Sequence, residues 1–374
     1  MKNILIITTN WIMGGAEKVI INLSENISKD KYCFTLLILH KKDKENFLKN
    51  SFNYPMGIKS DYIENRNLFL LFISLISFIK KNKPDIILTV TNPEFASFII
   101  FFNKLLHNKI KIIITFHNFF YKKKLKHYIY APFRNFLIRK ADYVISVSKE
   151  LEKYIFKEIR ISAEKIKTIY NPIINDNIIN IKYDIPLEYK NFYKFKKILT
   201  VCRLDKKQKD FDSLFKAFFI IKKNKKDIKL FIIGDGPNNI ELKNSIIKLN
   251  LENDIFLLGK KQNPYPYYVY SDVFVLSSFF EGLPTVIIEA MALGCPVIST
   301  DCPTGPKELI GDNENGILVP MNNPEKMAKM IESVLADKKL REKLILNAKS
   351  KIEEFKINKS IKKYEELFDI VLKN

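Results

Sequence analysis

The chain reads as an α/β protein built from two doubly wound parallel sheets. Three observations predict this. Its 374 residues exceed what one hydrophobic core usually serves. Short β-branched apolar runs alternate with segments of helical spacing along most of the length. That periodicity lapses once, between Asn171 and about Lys197, and a second alternating series then begins. With 47% hydrophobic and 13% aromatic residues, both cores can be filled and disorder is excluded.

The elements follow in order. "NILIITT" is a strand, "NWIMGGAE" a glycine turn and "KVIINLSENI" a helix. "CFTLLIL", "PDIILTV", "IKIIITF" and "DYVISVS" are further strands, and the alternation implies a parallel sheet covered on both faces. The stretch from Asn171 to about Lys197 carries two prolines and reads as a linker. Beyond it come "ILTVCRL", "IKLFIIGDG", "DIFLLG", "DVFVLSS", "PVIST" and "GILV", each a short strand ending in a polar or glycine turn. From Pro324 the spacing is helical to Leu372. The expected division is a first domain over 1–175, a linker over 176–197, a second domain over 198–355, and a terminal helix over 356–374 that can pack back on the first domain.

Cys33, Cys202, Cys295 and Cys302 show no CxxC spacing, so they predict reduced thiols in a cytosolic protein rather than a zinc site or a disulfide framework. The N-terminal apolar run is too short for a signal peptide. "LFLLFISLISFI", Leu68 to Ile79, is shorter than the ~18 residues that span a bilayer and predicts a buried or interfacial helix. The net charge of +21 is uneven: residues 1–180 hold 29 Lys/Arg against 15 Asp/Glu. Such a surface favours an anionic partner, whether nucleic acid, anionic lipid or a phosphorylated substrate. A genomic bias toward Lys, Asn and Ile is the competing source of the lysines.

Ligands of open parallel sheets bind beyond the carboxyl ends of the strands, where loop amides and helix N-termini converge. Four such turns are suited to phosphate: "MGGAE", "CRLDKKQKD", "GDGP" and "EGLPT". Gly14 and Gly15 permit close backbone approach, although "MGGAE" matches neither GxGxxG nor GxxxxGK[ST] and equally suits an ordinary turn. Arg203 and Lys209 can offer a fork and a point charge to a diphosphate, or form a solvated basic loop, the reading that fits Lys206, Lys207 and Lys222.

Read in order, "MGGAE", "CRLDKKQKDF", "GDGP", "FLLG", "SDVFVLSSFFEGLPTVIIEAMALGCPVIST" and "GILV" resemble the retaining GT-B glycosyltransferases of the large bacterial family with a glutamate, seven-residue, glutamate motif. The resemblance spans nearly the whole chain and is strongest from Leu199 to Pro320. It implies two Rossmann-like domains facing a cleft and a nucleotide-sugar donor. By matching position, Glu289 holds the donor ribose and Glu281 faces the donor sugar. The turn Gly282, Leu283, Pro284, Thr285 and Val286 meets the diphosphate, with Gly234 on the neighbouring turn. Arg203 and Lys209 offset the leaving-group charge, Gly14 and Gly15 form the first-domain glycine turn, and His117 contacts the sugar. Two departures stand out: Cys202 precedes the arginine where glycine is usual, and the loop to Lys209 is one residue longer, which leaves Lys207 as a substitute. "DCPTGPKEL" resembles users of UDP-hexose and UDP-N-acetylhexosamine.

Within "EGLPTVIIE" the two glutamates lie eight residues apart on a turn and a helix, so a proton-sharing pair at ~5 Å is not expected. No Asp-x-Asp motif occupies a suitable turn, so neither a metal nor another cofactor is predicted, and Arg203, Lys209 and helix N-terminal amides take over leaving-group stabilisation. The resemblance implies front-side transfer in which His117 is not a general base. "HNFFYKKKLKHYIYAPFRNFLIRK" interleaves Lys122, Lys123, Lys124, Lys126, Arg134, Arg139 and Lys140 with aromatics. It is read as a docking patch for a polyprenyl-diphosphate-linked acceptor at the inner membrane surface. A solvated helix is the plain alternative, and no nucleic acid partner is expected. A sugar-nucleotide epimerase and a non-catalytic nucleic-acid or membrane-binding protein are the competing functions.

Overall fold

The computed structural model describes residues 1–9, 15–40, 58–64, 67–106, 109–118 and 125–373. The described residues form two compact units, one of Met1–Ile173 with Ile357–Asn374 and one of Ile174–Lys356.

In the first unit the chain runs β1 (Lys2–Thr8), α1 (Gly15–Asn26), β2 (Tyr32–His40), β3 (Lys59–Glu64), α2 (Leu68–Asn82), β4 (Ile86–Val90), α3 (Pro93–Leu105), β5 (Lys111–Phe116), α4 (Leu125–Ile138), β6 (Tyr143–Ser146), α5 (Lys149–Ile159) and β7 (Ile166–Thr168). All strand pairs are parallel, in the order β3-β2-β1-β4-β5-β6-β7. β1 and β4 are buried along nearly their whole length, as continuous Ile and Leu runs require when helices cover both faces. Two of these helices begin at a side-chain cap: Asn92 Oδ1 accepts from the Phe95 N–H at 2.8 Å with Pro93 at the first helical position of α3, and Ser148 Oγ accepts from the Leu151 N–H at 3.2 Å at the start of α5.

The second unit contains α6 (Asp176–Asn180), α7 (Leu187–Lys190), β8 (Lys196–Val201), α8 (Phe211–Asn224), β9 (Ile228–Ile233), α9 (Asn239–Lys248), β10 (Ile255–Leu257), α10 (Tyr265–Val269), β11 (Val273–Leu276), α11 (Thr285–Ala292), β12 (Val297–Thr300), α12 (Pro306–Ile310), β13 (Ile317–Val319), α13 (Pro324–Ala336) and α14 (Lys338–Ile352). Its parallel sheet has the order β10-β9-β8-β11-β12-β13. In both sheets the strand order reverses once, between β1 and β4 and between β8 and β11. A crevice opens at such a reversal because the flanking loops leave in opposite directions.

Residues 176–197, expected as a linker, are instead built into the second unit. Tyr189 is fully buried, its ring against Phe231 at 4.5 Å and Tyr267 at 5.3 Å, and Phe192 packs on Phe256 at 4.9 Å. Aromatic anchors spaced along two very short helices leave no periodic signature, which is why this segment reads as irregular. The last helix, α15 (Ile357–Lys373), lies on α1 in the first unit. Its Ile361, Tyr364, Leu367, Phe368 and Val371 share one core cluster with Ile4, Ile20 and Leu36, and Phe368 meets the Tyr32 ring edge-on at 5.6 Å. These positions recur at three and four, so a single apolar stripe faces the core.

Candidate active site

At the β8/β11 reversal the two outgoing loops are joined backbone to backbone. The Phe279 N–H donates to the Gln208 carbonyl at 2.8 Å and the Asp210 N–H to the Ser277 carbonyl at 3.1 Å. Asp210 also caps α8, its Oδ1 accepting from the Ser213 N–H at 3.0 Å. Lys209 is therefore held between a strand-like pairing and a helix start, and its side chain is turned inward, 6% exposed.

There Lys209 Nζ forms an ion pair with Glu281 Oε1, equally buried, and donates to Ser278 Oγ at 3.2 Å. Ser278 Oγ donates to the same carboxylate oxygen at 2.7 Å, and Gln208 Nε2 donates to Glu281 Oε2 at 3.3 Å. Burial alone would disfavour the ammonium, but the Glu281 carboxylate outweighs it and holds the Lys209 pKa above its ordinary value. An ammonium has three donors and a carboxylate about four lone-pair sites, so this cluster leaves each group roughly one further hydrogen bond to make.

The turn that carries Glu281 is clamped from one side. Thr304 Oγ1 donates to the Glu281 carbonyl, and Thr304 and Gly305 both adopt left-handed backbone, φ 61° and 82°. A Cβ on Gly305 would meet the Gly282 carbonyl oxygen and Pro284 Cδ at 2.7 Å each, so glycine is required for "CPTG" to close on "EGLP". Gly282, Leu283, Pro284 and Thr285 are buried and Val286 half-buried. α11 then starts at Thr285 with no side chain capping it, so its first amides are presented without a side-chain acceptor.

Glu289, one turn along α11, is 1% exposed and Oε2 accepts from the Tyr268 hydroxyl at 3.2 Å. Burial and then the adjacent Glu289 charge push the Tyr268 phenol well above its usual pKa, so it remains a donor. The two glutamates thus sit in separate hydrogen-bond networks and share no proton.

The other expected residues fall out as follows. Arg203 is exposed, with only a loose pair to Asp205 at 3.9 Å. Lys207 is exposed, and Lys206 is engaged by Asp212 and Glu241 at 3.1 and 3.0 Å. Gly234, at φ 145°, lies against the end of β8: a Cβ there would come within 1.8 Å of the Cys202 carbonyl oxygen. Burial pushes the thiols of Cys202 and Cys302 up to about 12, so both stay protonated beside the cluster. Ser278, Gln208, Thr304 and Tyr268 were not singled out by sequence. Ser278 in "SSFFEG", Gln208 in "CRLDKKQKD" and Thr304 in "DCPTGPKEL" lay inside quoted motifs and could have been found, whereas Tyr268 lay in none.

In the first unit Gly14, Lys122, Lys123 and Lys124 lie outside the described residues, as does the side chain of Lys126. Gly15 opens α1. His117 follows β5, and both its ring nitrogens are buried with no hydrogen-bond partner among the described residues. Burial lowers its pKa to about 4, so the ring is neutral at neutral pH. Arg134, expected to face an anionic partner, is turned inward: it is 9% exposed and paired with Glu94 at 3.0 Å. A basic residue read without its distant partner looks free when it is not. Arg139 is exposed, and Lys140 lies over the Phe136 ring at 5.3 Å. No group of three or more His, Cys, Asp and Glu that could hold a metal ion occurs among the described residues, and no described helix is long and apolar enough to cross a membrane.

Comparisons with known proteins address the same arrangement. Residues 13–176 match Glycosyltransferase Family 4 and residues 187–351 match Glycosyl transferases group 1. A Campylobacter jejuni N-acetylgalactosamine-N,N'-diacetylbacillosaminyl-diphospho-undecaprenol 4-alpha-N-acetylgalactosaminyltransferase is 37% identical over 220 residues, a match of 59% of this chain and only 58% of that relative's length. A second Campylobacter jejuni protein, a GalNAc-alpha-(1->4)-GalNAc-alpha-(1->3)-diNAcBac-PP-undecaprenol alpha-1,4-N-acetyl-D-galactosaminyltransferase, is 27% identical over 96% of each chain. Among solved structures, Anabaena Alr3699/HepE in complex with UDP superposes with a TM-score of 0.80 at 19% identity, covering 99% of this chain and 100% of that one. Two parallel sheets, each with one reversal of strand order, agree with these matches: residues 13–176 and 187–351 are the two halves of a group 1 glycosyltransferase with the GT-B fold.

Proposed function

We propose that the protein is a retaining glycosyltransferase that moves a hexose or N-acetylhexosamine from a UDP-sugar to a polyprenyl-diphosphate-linked glycan at the inner face of the cytoplasmic membrane, in surface polysaccharide or glycoconjugate synthesis. The observation that carries it is the buried Lys209, Ser278 and Glu281 cluster at the sheet reversal, with Glu289 one helical turn beyond. The relatives that act on undecaprenyl-diphospho glycans and the solved neighbour that holds UDP support the acceptor and donor classes.

The residues divide the work. Glu289, oriented by Tyr268, accepts from the ribose hydroxyls. The amides that open α11 meet the diphosphate, where their partial positive charge favours it. The remaining N–H of Lys209 reaches a phosphate oxygen and the remaining acceptor site of Glu281 a sugar hydroxyl, so one buried pair contacts both sides of the bond that breaks. Arg203, exposed just beyond β8, supplies a second cation to the departing diphosphate. These groups stabilise the leaving-group charge without a metal, in the manner of an oxyanion hole. Neutral His117, in the first unit, takes no part as a base.

Incubation of UDP-sugars with a polyprenyl-diphospho glycan, followed by NMR of the product and UDP release in the presence of EDTA, tests this. The expected product keeps the donor's anomeric configuration at an EDTA-insensitive rate. An inverted product refutes retention, and no UDP release from any donor refutes the transferase reading.

A further inference from the structure

The first unit presents one helix layer whose outer face is apolar. α2, α3, α4 and α5 are the right-handed crossovers that follow β3, β4, β5 and β6, so they lie side by side on one face of the sheet and run in the same direction, while α1 and α15 cover the other. Phe72 of α2 sits among Phe95, Phe98 and Phe102 of α3, which locks the first two together.

On the outside, each helix carries a stripe of large apolar side chains at three- and four-residue spacing. α2 exposes Leu70 and Ile73, α3 exposes Phe98, Phe101 and Leu105, and α4 exposes Tyr130, Phe133 and Phe136. The second unit also exposes apolar residues, such as Ile181, Ile185, Leu187 and Tyr193 ahead of β8 and Ile240 and Ile247 on α9, but not as stripes along successive crossover helices of one layer. Each stripe of the first unit also ends in cations at the same edge of the sheet: Lys80 and Lys81 on α2, Lys104 on α3, and Arg139 with Lys140 after α4. Lys140 already lies along the Phe136 ring. The Glu94 carboxylate on this layer is neutralised by Arg134.

We propose that this α2–α3–α4 face is the membrane-docking surface, inserting its Phe, Leu and Ile side chains among the acyl chains of an anionic bilayer while the lysines at its edge meet lipid phosphates. It rests on the lipid-linked acceptor reading for the presence of a bilayer, and extends the contact from the α4 part of the His117–Lys140 stretch to the outer faces of α2 and α3. A bilayer fits this face better than a second copy of the chain, because lipid phosphates complement its cationic edge whereas a second copy brings the same net charge of +21 to the contact.

The test is flotation of the full chain with vesicles of phosphatidylethanolamine and phosphatidylglycerol, and with phosphatidylcholine vesicles. Replacing Phe101, Phe133 and Phe136 together by Ser should lower partition onto the anionic vesicles by at least about tenfold. Replacing Lys80, Lys81 and Lys104 by Gln should lower it by about fivefold per lysine on anionic vesicles only. All positions are exposed, so unfolding temperature and UDP affinity should match the parent chain. Unchanged partition in both variants overturns the proposal. A dimeric parent with a monomeric Phe variant and no vesicle binding by either also overturns it, assigning the face to a second copy. UDP binding by the same preparations reports on the transferase reading separately: its absence beside intact vesicle binding fails that reading and not this face.

Discussion

The two units share an architecture and differ in where they keep their charge. The second unit buries it: Lys209, Glu281 and Glu289 are each under a tenth exposed and each is held by named partners. Among its described residues the first unit keeps its cations outside, beside exposed Phe, Leu and Ile, and turns inward only Arg134, which has a carboxylate. A buried ionic cluster fixes geometry and suits one ligand of defined shape, whereas a cationic, apolar surface fits a partner that is extended and variable.

The largest way to break this contrast is to strip one charge from the buried cluster. Lys209→Met leaves the Glu281 carboxylate buried without its cation and should cost the second unit about 3–5 kcal/mol in urea unfolding, with transfer reduced by at least ~100-fold. Adding Glu281→Gln should restore most of the stability and none of the turnover. A double variant no more stable than the single one would show that the pair does not act as a unit.

The next effect belongs to the first unit. His117 is held near 4, below its unfolded value of about 6.5, so between those limits the unfolded chain binds the proton and the folded chain does not. Stability of the first unit should fall as pH drops through this window, by on the order of 3 kcal/mol, and level off below it. His117→Gln should remove that slope in thermal unfolding at pH 7, 5.5 and 4. An unchanged slope would assign the acid sensitivity elsewhere.

Two smaller effects separate nucleotide from sugar recognition. Glu289→Ala should weaken UDP binding by about 2 kcal/mol in calorimetry while phosphate-dependent inhibition is kept. Tyr268→Phe should lose about 1 kcal/mol, raising KM more than it lowers kcat, because it only orients Glu289. If Tyr268→Phe matches Glu289→Ala, the tyrosine contacts the nucleotide itself.

The fold was legible in the sequence because buried parallel strands must be continuous apolar runs that end in polar or glycine turns. Glu281 and Glu289 were legible through their spacing around the "EGLPT" turn, and Lys209 only with Lys207 as its substitute. Their supports were not, since Lys209 and Ser278 lie 69 positions apart, and Tyr268 and Glu289 21 apart, brought together only by the strand order. Arg134 misled because its partner Glu94 is 40 positions away. The docking face was hidden for the same reason, being distributed over three helices with a strand between each.

The return of α15 to the first unit has a consequence for how the protein is made. Six buried side chains between Ile357 and Val371, each contributing roughly 1.5–3 kcal/mol by burial, belong to the core around β1 and β2. The ribosome delivers them only after all of residues 174–356, a delay of roughly 10 to 40 s at ordinary synthesis rates. The unit begun first is therefore the one finished last. During that interval the nascent chain exposes the groove that α15 will fill, and this is the stage at which a chaperone would be needed.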